Sequence, residues 1–161
     1  MFIKLRNDVI KMSLAQYFCE LSLTLCPKET ESSDYLRLIL NALHLLCNSD
    51  KDPLLIKACV EMRLLGLSGY MPDLIMCDSC GEYETANMMF VPKTGKLFCG
   101  DCAFKNGVHG IPATNSVITA LRHTFYQDFE KLFSFSLKRE SLIQLNVITE
   151  SYLSCITEKD F

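Results

Sequence analysis

Apolar residues recur at spacings of three and four along most of the chain, which is the signature of helices with one buried face. Over about 8 to 26 the positions Ile10, Leu14, Tyr17, Leu21 and Leu25 form one such stripe, ended by Pro27 and the polar run 28–33. A second helix is predicted with Ser33 as N-cap, Asp34 in its first turn, and Leu36, Ile39, Leu40, Leu43 and Leu46 inward. Asn48-Ser49-Asp50-Lys51-Asp52 reads as a loop. A third helix follows, capped by Asp52 and opened by Pro53, whose missing N–H is no loss in a first turn. Its Leu55, Cys59, Met62 and Leu65 share a face, and Gly69 and Pro72 punctuate its end.

From 77 to about 104 the helical period is lost and turn formers appear. Met88-Met89-Phe90-Val91 and Lys96-Leu97-Phe98 are predicted strands of a hairpin turned by Pro92-Lys93-Thr94-Gly95. Helical spacing returns at about 114 to 125 through Val117, Ile118, Leu121 and Phe125. It returns again at about 137 to 156 through Leu142, Leu145, Ile148, Tyr152 and Ile156. There is no repeat and no low-complexity tract. The predicted fold class is mainly α: a helical bundle-like domain with an inserted small β-hairpin module. Residues 1–76 supply its first helices, 77–104 the insertion, and 105–161 the helices that pack back on the same domain. Each flanking piece is too short to cover its own apolar faces alone.

The insertion carries the chemistry. Cys77-Asp78-Ser79-Cys80 and Cys99-Gly100-Asp101-Cys102 form the pattern C-x₂-C-x₁₈-C-x₂-C, within the range of a four-cysteine zinc site. Two residues between thiolates let one tight turn aim both sulfurs at one ion, and Gly81 and Gly100 supply permissive backbone nearby. A hairpin that brings the two turns together completes a tetrahedron with Zn–S bonds of about 2.3 Å. Four thiolates leave no position for water, so Cys77, Cys80, Cys99 and Cys102 are expected to hold one structural Zn²⁺, making the insertion a module of zinc-ribbon type. Iron–sulfur ligation uses the same residue type, but the paired-turn spacing suits zinc better. A thioredoxin-like dithiol would place the first pair between a strand and a helix of an α/β chain, which this is not. His109 is an alternative ligand that the four cysteines make unnecessary.

The remaining motifs are weaker. Gly66-Leu67-Ser68-Gly69 lacks the spacing of a nucleophile elbow, and Gly95-Lys96-Leu97 lacks the upstream glycine and following hydroxyl of a phosphate loop. His44, His109 and His123 have no triad or general-base context, and His44 reads as a polar-face residue. No enzyme site is expected. Lys138 and Arg139 open the last helix, where the macrodipole disfavours cations, so an anion there would be favoured. Lys4, Arg6 and Lys11 are a second, weaker basic edge.

Composition narrows the classes. The chain has 161 residues, 49% hydrophobic and 22% charged, enough for one domain with a real core. Its formal net charge of −3 disfavours a stand-alone non-specific nucleic-acid binder. No apolar run approaches the roughly 18 residues of a membrane-spanning helix, and the first residues meet charge too early for a secretory signal. The odd count of nine cysteines argues for a reducing cytoplasm, with Cys19, Cys26, Cys47, Cys59 and Cys155 expected as buried free thiols.

Around the third helix the sequence resembles a known family. Glu61-Met62-Arg63-Leu64-Leu65-Gly66-Leu67-Ser68-Gly69-Tyr70-Met71-Pro72-Asp73-Leu74, followed by Cys77-x-x-Cys80-Gly81, is similar to the "RLL..LGY.P.L..C..CG" region of bacterial RecO recombination mediators. Phe90, Gly95, Leu97-Phe98-Cys99 and Asp101-Cys102 fit its "F.....G.L.C..C", and Tyr17 to Leu21 with Cys26 to Glu29 resemble its "Y..EL.....PE". The resemblance runs from about residue 5 to 152.

It implies a non-enzymatic DNA-repair factor in the bacterial cytoplasm and nucleoid. Such a factor binds the acidic tail of single-stranded-DNA-binding protein, works with RecR, and assists RecA loading and strand annealing. The family's N-terminal OB domain has no counterpart after Met1, so a truncated form with weakened single-stranded DNA binding is expected. The family's end pattern "Y...HLG...LKS" is not matched by the residues from Tyr152 onward. Arg122, Lys138 and Arg139 are the candidate cationic rim of a partner groove. The alternatives are a zinc-ribbon adaptor in a transcription or other assembly, and a thiol oxidoreductase using one cysteine pair.

Overall fold

The computed structural model describes residues 5, 8–27 and 32–159. The first helix, α1 (Val9–Leu25), starts at Asp8, whose carboxylate accepts from the backbone N–H groups of Ile10 and Lys11. Then come α2 (Ser33–Asn48) and α3 (Pro53–Leu67). Asp52 caps α3 by accepting from Leu54 N–H at 2.9 Å, with Pro53 in the first turn as expected. Past the end of α3, Gly69 has φ +88° and the Tyr70 N–H reaches back to the Leu65 carbonyl at 2.9 Å. With Gly69 N–H on the Gly66 carbonyl, this is a Schellman termination, in which glycine takes the left-handed residue.

The chain then enters a four-stranded sheet of β1 (Asp73–Cys77), β2 (Met88–Val91), β3 (Lys96–Cys99) and, after the short α4 (Gly100–Lys105), β4 (Ile111–Ala113). The spatial order is β1-β3-β2-β4, with β1 parallel to β3 and the other pairs antiparallel. The predicted hairpin is β2–β3, in register from Met88 opposite Cys99 to Val91 opposite Lys96. Its turn needs Gly95: φ is +66°, and a β-carbon there would lie 3.1 Å from the Tyr152 hydroxyl and 3.3 Å from Pro72 Cα. The sheet extends beyond 77–104 on both sides, since β1 begins at Asp73 and β4 ends at Ala113. The chain closes with α5 (Asn115–Tyr126) and α6 (Arg139–Thr157).

The protein is thus mainly helical with a small sheet. At its centre lies α3, buried nearly all round and touched by α1, α2, α5 and α6. A helix without a polar face is stable only with neighbours on every side. Arg63 of α3 donates to the carbonyls of Phe125 and Gln127, closing the C-terminal end of α5. Alternation in β2 and β3 sends Met88, Phe90, Leu97 and Cys99 inward. Phe90 meets Tyr152 of α6 edge-on at 5.6 Å, so sheet and helices share one core.

Several expectations on individual faces are corrected. Ile10 is two-thirds exposed, and Phe18 takes the buried place on α1. On α2, Leu36 and Leu40 face out while Tyr35, Leu38, Ile39, Ala42 and Leu46 are buried. The α2 cap position is Ser32, one residue before the expected Ser33. Cys47 and Cys59 are buried thiols, but Cys19 and Cys155 are exposed and Cys26 is half-buried. Burial pushes the Cys59 thiol well up, leaving it an inert donor toward the Leu132 carbonyl. Lys4, Arg6 and the run 28–31 lie outside the described residues.

Candidate metal centre

Two strand ends and two tight turns build the site. Cys77 ends β1, and the chain turns at once: Gly81 N–H donates to the Cys77 carbonyl at 2.9 Å, and Cys77 N–H to the Glu82 carbonyl at 2.8 Å. Gly81 holds φ +76°, the left-handed conformation this turn requires. The second pair straddles the end of β3 and the start of α4, where Cys99 is the N-cap and Cys102 sits in the first turn. Gly100 N–H donates to the Asn87 carbonyl at 2.7 Å, tying the turn to the residue before β2. Parallel pairing of β1 with β3 brings the two turns side by side.

The four sulfurs all lie within 4.8 Å of one another. Cys80 Sγ and Cys99 Sγ are 3.7 Å apart, close to the roughly 3.8 Å edge of a tetrahedron with metal–sulfur bonds of about 2.3 Å. Cys77 and Cys99 are buried, Cys102 is half-buried and Cys80 is exposed. The inner pair is therefore fixed by the core and the outer pair closes over it. His109 is exposed and is not among the clustered ligands.

The electrostatics suit a cation. Burial acts to raise the Cys77 thiol, but the amide donors of Cys99, Cys80 and Ser79, with the Cys80 thiol, outweigh it and draw it down to about 6. The Cys99 amide stands 3.2 Å from Cys77 Sγ. At Cys80 the Glu82 amide acts to lower the thiol; the other sulfurs and burial overcome it and push the thiol up to about 12. One sulfur thus ionises readily, while the thiols of Cys80 and Cys99 are held up. A metal ion resolves that conflict by replacing the shared protons. Four converging thiolates of this kind could hold a soft or borderline divalent ion and would leave it no open position.

The structure does not gather the three candidate rim cations into one place. Arg122 turns inward, its side chain only 12% exposed, toward the backbone of β1. Arg139 opens α6 and pairs with Asp52 at 2.9 Å, beside a cavity of about 540 Å³ lined also by Lys51, Leu55, Phe135, Leu137 and Leu142. Lys138 stands exposed at the α6 N-cap. His44 lies on the polar face of α2 with Asn48, and His123 contacts the Lys131 carbonyl at 2.8 Å.

Sequence reasoning missed a second polar cluster. Glu61 is fully buried and accepts from Tyr17 Oη at 2.6 Å, Lys57 Nζ at 2.6 Å and Thr149 Oγ1 at 2.5 Å. Its partners on α1 and α6 lie 44 and 88 residues away in sequence. The i,i+4 spacing of Lys57 and Glu61 was the one local signal.

A family model described as recombination protein O C terminal matches residues 6–161. The DNA repair protein RecO of Dehalococcoides mccartyi is 29% identical over 160 residues, covering 99% of this chain and 62% of the relative. That of Acetivibrio thermocellus is 26% identical over 160 residues, covering 99% and 63%. That of Roseiflexus sp. is 29% identical over 160 residues, covering 99% and 56%. The chain therefore spans less than two thirds of the length of these relatives. Matched over residues 6–161, a span that takes in both cysteine pairs, the chain belongs to the recombination protein O family, in the C-terminal region of that family.

Proposed function

We propose that the chain is a non-enzymatic binding module of bacterial recombinational DNA repair, stabilised by one structural zinc held by Cys77, Cys80, Cys99 and Cys102. The observation that carries this reading is the convergence of four sulfurs in a chain that the family matches almost end to end. A closed four-thiolate shell stabilises a fold and offers no site to a reacting water. The insertion then serves to fix sheet against helices, and function lies in surfaces that hold partners: single-stranded-DNA-binding protein, RecR and, secondarily, single-stranded DNA. Through them the module assists RecA loading and strand annealing in the bacterial cytoplasm.

The surface proposed for the acidic, apolar-ended tail of single-stranded-DNA-binding protein is the cavity between the α2–α3 loop and the start of α6. Leu55, Phe135, Leu137 and Leu142 supply apolar wall, and Lys51 and Arg139 supply cations. The Arg139–Asp52 pair is exposed and readily exchanged for a ligand carboxylate. A fluorescent tail peptide should bind the chain, and Arg139→Glu should weaken it about tenfold, or about 1.4 kcal/mol. The measurement is anisotropy at low and moderate salt, with pull-down of single-stranded-DNA-binding protein with and without its tail.

The second reading, a zinc-ribbon adaptor, predicts partner capture that ignores the tail. A dithiol oxidoreductase has one observation in its favour: Cys99-x-x-Cys102 does sit where a strand runs into a helix. Its sulfurs, however, face Cys77 and Cys80, and a stable stoichiometric zinc would leave no free dithiol.

A further inference from the structure

We propose that Arg122 positions the first metal knuckle and governs how long the metal stays bound, an inference that rests on reading the four sulfurs as a metal site. Arg122 is on α5, outside both cysteine pairs, and its guanidinium is built into the module. Nε donates to the Leu74 carbonyl at 2.7 Å. Nη2 donates to the Ile75 carbonyl at 2.9 Å and the Tyr83 carbonyl at 3.2 Å. Nη1 lies 3.5 Å from Glu84 Oε1, and the guanidinium carbon stands 4.2 Å from the centre of the Tyr83 ring.

The local backbone explains how one side chain reaches so much. In a regular strand successive carbonyls point to opposite sides, so a single group cannot serve two neighbours. The register of β1 on β3 shifts between Asp73 and Cys77, and the Leu74 and Ile75 carbonyls both turn to Arg122. The segments gripped, 74–75 and 83–84, flank the Cys77–Cys80 turn on either side. Arg122 therefore closes the base of the knuckle, as a pin closes a loop.

This has a kinetic consequence. Cys80 is the exposed ligand, and once its sulfur lets go the segment 78–84 can swing away from β1 and open the site. The bonds of Arg122 to both sides oppose that motion. On the other flank the knuckle is tied by Lys96 to Asp78 at 2.7 Å, an exposed ion pair of the kind that contributes little. Lysine cannot replace arginine, because one ammonium lacks the planar fork that spans three carbonyls. The sequence suggested a partner-facing role for Arg122; its donors are already engaged within the fold.

The test compares zinc release from the full chain and from Arg122→Ala, Arg122→Lys and Lys96→Ala under excess chromogenic chelator, with far-UV circular dichroism in parallel. Arg122 touches the backbone beside the ligands and no cysteine, and losing several charge-assisted hydrogen bonds of ordinary strength corresponds to about 10–100-fold. Release from both Arg122 variants should be faster by about that factor, with Lys96→Ala within about twofold. Should Arg122→Ala lose its helical spectrum, Arg122→Lys decides. Parent-like release from Arg122→Lys, or equally fast release from Lys96→Ala, would overturn the positioning role while stoichiometric zinc in the parent leaves the metal site standing. A parent chain that binds no zinc would overturn the metal reading itself, and this proposal with it.

Discussion

Chelating the metal is expected to strip amide protection from residues 73–102 while α3 and α6 keep theirs. The strands of the module are three to five residues long, and sheets this small need outside support to be stable. Part of that support is apolar, since Leu74, Met88, Phe90 and Leu97 enter the common core. The rest would fall to a metal held by the four sulfurs. Structural zinc contributes on the order of 10–16 kcal/mol in small zinc peptides, against a whole-domain stability of about 5–15 kcal/mol. Because the inner face stays partly anchored, the loss should be local first: protection in 73–102 should drop by at least about a thousandfold, some 4 kcal/mol. Hydrogen exchange with and without a tight chelator measures this. Unchanged protection after complete metal removal would show that the core alone holds the module.

Glu61→Ala is expected to destabilise the protein by about 3–5 kcal/mol, the usual result of breaking a buried ion pair from one side. Glu61 binds α1, α3 and α6 at one point through Tyr17, Lys57 and Thr149. Burial first, then the Glu61 charge, pushes the Tyr17 phenol far up, so it remains a donor throughout the physiological range. Without the carboxylate, Tyr17 and Thr149 lose their short bonds to it, Thr149 keeping the Asn146 carbonyl at 3.2 Å, and Lys57 keeps its contact with Glu150 at 2.7 Å. For a domain of this size each kcal/mol moves the unfolding midpoint about 2–4 °C. Replacing Lys57 and Glu61 together by methionine should be milder than Glu61→Ala, because apolar side chains of similar length fill the space and no half-buried ammonium is left with Glu150 as its one carboxylate. Urea unfolding of the three proteins gives the comparison. A Glu61→Ala protein within about 1 kcal/mol of the parent would show that the cluster is not a staple of the bundle.

Helix existence was legible because each long helix buries a stripe that its sequence repeats. The chosen face was less secure. In α2 leucines occupy more than one face, and the burial of Tyr35 and Ala42 rather than Leu36 and Leu40 is decided by α1 and α3, not by α2 itself. In α3 no single face had to be chosen, since buried residues occur nearly all round it and none is fully exposed. Three elements escaped periodicity for separate reasons. The shift in β1 breaks alternation over Asp73 to Cys77, β4 has three residues with a proline in the middle, and α4 makes fewer than two turns. The four-cysteine cluster could be read from spacing because each pair is closed by a local turn. The Glu61 cluster and the grip of Arg122 could not, because their partners meet only when distant segments pack.

Metal analysis of the purified chain under native conditions bears most directly on the four-sulfur centre. The account predicts one zinc per chain, retained through dialysis and lost when Cys77 or Cys99 is replaced by serine. A chain free of metal, with the turns at Cys77–Cys80 and Cys99–Cys102 nevertheless ordered, would contradict it.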